Sequence, residues 1–188
     1  MPLFPAFVNL KDKRVLIVGG GPVAERKAKV LLEFTRNITI ISPRITGGLL
    51  ALVSEGLIKH KKRRFIAKDL KGIDVVVVAV DNIELQKRIF KMAEKYGILC
   101  NSVDSPRFCN FIFPSVITRG DLVIGISTSG SVPALSKRVR EMIEAVLPEN
   151  IEEALEELKK LRESMPKGKK RQRIIIKRTV ELFGDQRK

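Results

Sequence analysis

Arg14–Lys29, reading RVLIVGGGPVAERKAK, is the stretch whose reading decides the fold. The apolar run Val15–Val18 has the length of a buried parallel strand. It ends on three glycines, after which the residues favour helix through Leu32, with Glu25, Arg26, Lys27 and Lys29 available for its wet side. Strand, tight turn and helix follow one another, and Gly19, Gly21 and Ala24 fall on the spacing G-x-G-x-x-A. In that spacing the first glycine makes the turn, the second lets a pyrophosphate approach the backbone, and the small third residue lets the helix pack on its strand. The helix N-terminus adds free N–H groups and a partial positive charge. Gly19, Gly20, Gly21, Pro22, Val23 and Ala24 are therefore the candidate cofactor-binding turn. Alone, the motif also fits a glycine turn in some other α/β domain.

Outward from the turn, the chain repeats the strand–helix alternation. Asn37–Ile41, rich in β-branched residues, is a second strand at the interval of a βαβ unit. An NAD-binding fold carries an Asp or Glu near the end of this strand, whereas here the chain reads Ser42, Pro43, Arg44. Arg44 either meets a 2′-phosphate, which would favour NADP, or is a solvated loop residue. Gly47–Ser54 reads as a short helix and Leu57–Phe65 as a cation-rich strand holding His60, the one histidine, read as a surface residue. Ile73–Val80 is the strongest strand signal and is expected at the centre of a parallel sheet. Val80 and Asp81 at its end are candidate cofactor contacts, with Asp81 also a candidate cap for a helix over Ile83–Tyr96. Gly97–Val103 is the next strand, carrying Asn101 and Asp104 toward the same carboxyl edge.

Beyond Asp104 the pattern changes. Ser115–Thr118 and Leu122–Ile126 flank the turn Arg119-Gly120-Asp121 as a hairpin, and the hydroxyl-rich loop from Ser127 to Ser131 opens a helix over Pro133–Val146. That loop suits an anion, while Ser131 as a plain N-cap accounts for it equally well. Ile151–Leu161 is an amphipathic helix, Lys167–Arg173 a solvated basic run without the interleaved aromatics of a nucleic-acid patch, and Ile174–Phe183 a last helix.

Composition narrows the function classes. With 188 residues and 44% hydrophobic content the chain holds one domain with a real core plus an appendage. No run approaches the roughly 18 apolar residues of a membrane span, and the N-terminus lacks signal-peptide order, so a cytoplasmic protein is expected. Cys100 and Cys109 lack zinc or disulfide spacing and read as free thiols; no metal site is expected. The 36 Lys and Arg against 21 Asp and Glu leave a formal net charge of +15, which calls for an anionic partner.

GGGPVAERKAKVLLE, the NSVD ending at Asp104, FIFPS from Phe111, and ISTSGSVPALSKRVRE from Ile126 together resemble, in order and spacing, the siroheme synthase N-terminal family. These are precorrin-2 dehydrogenases, some of which are also sirohydrochlorin ferrochelatases. The resemblance covers the first 150 residues or so. It implies NAD as cofactor, a precorrin-2 tetrapyrrole as substrate, Fe²⁺ as a second substrate in some members, and a homodimer interlocked through the middle region. It places the key acidic residue at Asp104 and the serine-containing loop, the expected substrate-binding segment, at Ser127, Thr128, Ser129 and Gly130. Departures fall at Arg44, where the family more often has an acid, and at Val80, where threonine is usual. By spacing alone Asp104 is either a general base or the cap of the turn Ser105-Pro106. The fold expected is α/β: a Rossmann-type NAD-binding domain with a parallel sheet over 1–113, a β-hairpin/helix dimerisation region over 114–147, and a small C-terminal helical region over 148–188. A dinucleotide-sensing domain without catalysis is the alternative; no nucleic acid or membrane partner is expected.

Overall fold

The computed structural model describes residues 2–184; Met1 and residues 185–188, which fall in the first and last expected regions, lie outside the described residues. The chain divides into two compact units, Leu3–Phe113 and the chain from Pro114 onward together with Pro2.

In the first unit five parallel strands, β1 (Val15–Val18), β2 (Ile38–Ile41), β3 (Lys59–Lys61), β4 (Val75–Val78) and β5 (Leu99–Ser102), stand in the order β3-β2-β1-β4-β5. Strand β1 is thus the centre, with β4 beside it, and Val18 is in register with both Ile41 and Val78. All four residues of β1 and of β4 are buried, because both faces of the sheet are covered. Val15 and Ile17 meet Ala24, Ala28 and Leu31 of α1 (Pro22–Leu32) and Leu49 of α2 (Gly47–Ser54). Leu16 and Val18 point the other way, into a cluster with Ile89 and Ala93 of α3 (Ile83–Lys95). This alternation sorts one strand's side chains between two layers. Fully burying a leucine such as Leu31 contributes about 1.5–3 kcal/mol.

Two elements of the first unit depart from the expectations. Strand β3 is only three residues of the nine expected, because the chain turns at Arg63, whose N–H donates to the Lys61 carbonyl and whose guanidinium pairs with Asp69. His60 is half-buried rather than at the surface, and its Nε2 lies 2.9 Å from the Ser42 carbonyl, to which it donates. Helix α3 is capped by Asn82, not Asp81: the Asn82 side chain accepts from the Leu85 N–H at 2.8 Å.

The second unit pairs β6 (Ser115–Arg119) with β7 (Leu122–Ile126) in an antiparallel hairpin whose turn takes Gly120 to φ 56°. Helix α4 (Pro133–Val146) packs on both strands, with Pro133 in its first turn. Helices α5 (Ile151–Glu163) and α6 (Lys169–Phe183) pack on each other. Helix α6 begins five residues before the expected Ile174, so most of the basic run is helix rather than loop; Lys, Arg and Gln are good helix formers.

Candidate functional site

The sheet's register brings the glycine turn, the loop after β2, the Val80-Asp81 turn and Asp104 to one edge. Gly19 N–H donates to the Ile41 carbonyl, Ala79 N–H to Val18, and Val103 N–H to Val78, so the ladder carries on past each strand's last residue. This carboxyl edge, where the strand order reverses about β1 and β4, is where open α/β sheets take ligands.

Each glycine of the turn has its own surroundings. Gly19 has φ +120°, and a Cβ there would lie 2.1 Å from the Ala79 carbonyl oxygen. A Cβ on Gly20 would lie 2.1 Å from the Arg44 carbonyl oxygen. At Gly21 a Cβ would meet nothing within 4 Å. Gly21 is the N-cap of α1 and offers no side chain to its amides; among the described residues the Val23 and Ala24 N–H groups have no acceptor. Open space beside unpartnered first-turn amides accommodates a pyrophosphate. The residues present therefore fit a dinucleotide.

The loop after β2 closes on this turn. Ser42 Oγ donates to the Arg44 carbonyl at 2.6 Å, and Thr46 N–H donates to the Gly20 carbonyl. Pro43 and Arg44 are exposed, and among the described residues no carboxylate pairs with the Arg44 guanidinium. Thr46 caps α2, and its hydroxyl donates to Glu25, whose carboxyl is held below its usual range by Lys29 and by Thr46. Glu25, expected on the wet face of α1, thus ties that helix to the loop. On the other side of β1, Gln86 Nε2 donates to the Val80 carbonyl and fixes the turn that presents Asp81, which is exposed.

Asp104 is exposed and sits at φ 58°, a left-handed conformation that Asp tolerates better than most residues. Among the described residues its carboxylate makes no hydrogen bond, so it does not cap the Ser105-Pro106 turn. The bend is held instead by Cys109. Its thiolate-free sulfur accepts from Ser102 N–H at 3.2 Å and lies 3.3 and 3.4 Å from the carbonyls of Ser102 and Ser105, bracketing Asp104. Burial pushes the Cys109 thiol up, and pushes Cys100 up to about 12, so both behave as packing thiols.

Asn101 is placed differently from the expectation. It pairs with Val77 inside the sheet, is 8% exposed, and its Nδ2 donates to the Phe111 carbonyl at 3.1 Å. Asn110 was given no role by the sequence, yet its side chain accepts from Cys100 N–H at 2.6 Å and donates to the Ile98 carbonyl at 3.0 Å. It closes the open edge of β5 as a further strand would.

Ser127, Thr128, Ser129 and Gly130 belong to the second unit, between β7 and α4. Ser127 Oγ accepts from Ser129 N–H, Thr128 Oγ1 accepts from Val132 N–H, and Ser129 and Gly130 have φ 54° and 81°. Val132, not Ser131, is the N-cap of α4; the Ser131 hydroxyl donates back to the Thr128 carbonyl. Two clefts of the first unit lie instead at the amino edge of the sheet, one of them lined by Lys11, Arg36 and Lys59.

A family model described as "Putative NAD(P)-binding" matches residues 6–115, more than half the chain and the whole of the sheet. The chain belongs to that NAD(P)-binding family. Within it, the chain is similar to "Siroheme synthase 1" of Aeromonas hydrophila subsp. hydrophila, 39% identical over 163 residues, which are 87% of this chain and 35% of the relative. It is 36% identical over 151 residues to "Siroheme synthase" of Pseudoalteromonas translucida, covering 80% of this chain and 32% of that one. The chain thus spans about a third of the length of these curated relatives. Among solved structures it is similar to "SirC, precorrin-2 dehydrogenase", with TM-score 0.77 and 25% identity over 98% of this chain and 91% of that chain. Among the described residues, no helix is long and apolar enough to cross a membrane, and no three His, Cys, Asp or Glu side chains gather as metal ligands.

Proposed function

We propose that this chain is an NAD-dependent dehydrogenase that converts precorrin-2 to sirohydrochlorin. The observation that carries the reading is the likeness to a precorrin-2 dehydrogenase over nearly all of both chains. It is supported by the carboxyl edge, which brings the exposed carboxylate of Asp104, without a hydrogen bond among the described residues, onto the same edge as the glycine turn.

In this reading the amides after Gly21 would hold the pyrophosphate, and the loop at Ser42, Pro43 and Arg44, together with Val80 and Asp81, would hold the rest of the dinucleotide. Bound NAD supplies the two-electron sink, accepting a hydride from the macrocycle. Asp104 takes the accompanying proton as general base, so the oxidation of one C–H and one acidic hydrogen leaves a new double bond, NADH and a protonated carboxyl. Its left-handed backbone is held by the Cys109 contacts on either side. Hydroxyls and amides from Ser127 to Gly130 hold a substrate carboxylate. Insertion of Fe²⁺ into sirohydrochlorin would use the same base for the pyrrole protons.

The functional unit is a homodimer formed through residues 114–147, with the described residues from Pro148 onward a helical appendage. Helix α4 supports this: Leu135, Met142 and Val146, spaced along one face, are 51, 58 and 78% exposed. The test of the activity is Asp104→Asn in a precorrin-2 and NAD assay. The variant should lose about 10²–10⁴-fold in kcat with NAD affinity and Tm unchanged; a variant that stays active but melts several degrees lower would make the carboxylate structural. NAD binding by a wild-type protein that never turns precorrin-2 over would favour a dinucleotide sensor.

A further inference from the structure

Helix α1 holds a cation that neither the glycine motif nor the base accounts for. Lys27, expected on the wet face, is half-buried, with Nζ 4.0 Å from the centre of the Phe113 ring. Phe113 and Phe111 are packed as a ring pair on the cluster that covers β4 and the start of β5. Burying an ammonium costs free energy unless an anion answers it, and a cation–π contact offsets only part of that cost. Lys159, which is also half-buried, has its anions: it lies 2.8 Å from Asp121 and 2.9 Å from Glu156. No carboxylate lies within ion-pair distance of Lys27 among the described residues. The charged and titratable groups acting on it are Arg26 on its own helix and Cys109 and Asp104 from the loop after β5. Burial, and then Arg26, pulls the ammonium below the ordinary lysine range, while Cys109 and Asp104 oppose that change. Lys27 is therefore a desolvated cation lacking a counter-charge, within electrostatic reach of the exposed Asp104 and on the β4–β5 side of the site.

We propose that Lys27 binds a carboxylate of the substrate, drawing the macrocycle toward Asp104. This rests on precorrin-2, a polycarboxylate, being the substrate. The pyrophosphate has its own donors in the Val23 and Ala24 amides, and Lys27 lies beyond them along the helix, with its head committed to Phe113.

The test compares Lys27→Met, which keeps the stem on Phe113 and removes the charge, with Lys27→Arg. Lys27→Met should raise the KM for precorrin-2 about 10- to 100-fold, with the Kd for NAD by calorimetry and the Tm unchanged. Lys27→Arg should recover most of the loss. An unchanged KM in Lys27→Met, or a rise in the Kd for NAD in its place, overturns the inference; the latter assigns the ammonium to the dinucleotide phosphates. If Lys27→Met fails to fold, the same readings on Lys27→Gln decide. A wild-type protein that does not oxidise precorrin-2 overturns the functional reading and this inference together, an outcome distinct from active wild-type protein with an unaffected variant.

Discussion

Gly19, Gly20 and Gly21 stand in one run but are glycines for different reasons, and substitution separates them. Gly19→Ala puts a Cβ 2.1 Å from a backbone oxygen at φ +120°, so it should destabilise the fold by upwards of about 1–3 kcal/mol, read from urea midpoints. Gly21→Asp has room for its side chain and should leave the Tm near wild type, yet abolish NAD binding by calorimetry, because a carboxylate then occupies the place proposed for the pyrophosphate. Normal NAD affinity in that variant would remove the dinucleotide from this turn. Arg44 is exposed beside Gly20 with no ionic partner among the described residues, and no acid follows β2 to hold the ribose hydroxyls or repel a 2′-phosphate. The ratio of kcat/KM for NAD over NADP should therefore be modest and should rise in Arg44→Asp. A strong preference for NADP would make Arg44 a phosphate ligand.

Elements whose pattern is local were legible: β1, α1, α2 and α4 run where strand length, glycine, proline and helical spacing put them. What sequence could not show was settled by partners far along the chain. Asn101 was expected at the carboxyl edge, carried there with Asp104 by one strand, but the register with Val77 puts it inside the sheet. Lys27 and Glu25 read as wet-face residues until Phe113 and Thr46 closed over them. Asp81 and Asn82 are adjacent polar residues before a helix, and only cap geometry tells them apart. The consequence is measurable: Asn82→Ala should cost about 1 kcal/mol of stability, whereas Asp81→Ala should cost little. Asn110→Ala unpairs the Cys100 N–H and Ile98 carbonyl at the rim of β5 and should cost about 1–3 kcal/mol. The carboxyl edge itself was legible in outline, since strand order and glycine spacing fix it, while the Cys109 bracket around Asp104 was not, because a thiol's hydrogen bonds leave no periodic trace.

For the molecule as a whole, charge and titration set the conditions. If precorrin-2, a polycarboxylate, is the substrate as proposed, the formal +15 predicts that its KM rises with ionic strength while kcat holds. The Asp69 carboxyl is held low by Arg63 and the Asp74 carboxyl by the Arg14 N–H, so their folded values lie below their unfolded ones. Their stabilisation is complete above the unfolded values, near pH 4, and is lost as pH falls through the folded ones. Cys100 has the opposite sign: its folded thiol is raised to about 12, so stability falls from about pH 8.5 upward as the unfolded chain ionises. Urea midpoints across pH should show both limbs, and Cys100→Ala should flatten the alkaline one. Sedimentation should find a dimer at micromolar concentration, with α4 covered by a second copy; a monomer there would contradict the assignment of residues 114–147. The most direct test of the central claim is to mix the purified protein anaerobically with precorrin-2 and NAD and follow both products by absorbance. The account predicts sirohydrochlorin and NADH appearing together in equal amounts; NADH-free conversion, or no conversion by protein that binds NAD, would contradict it.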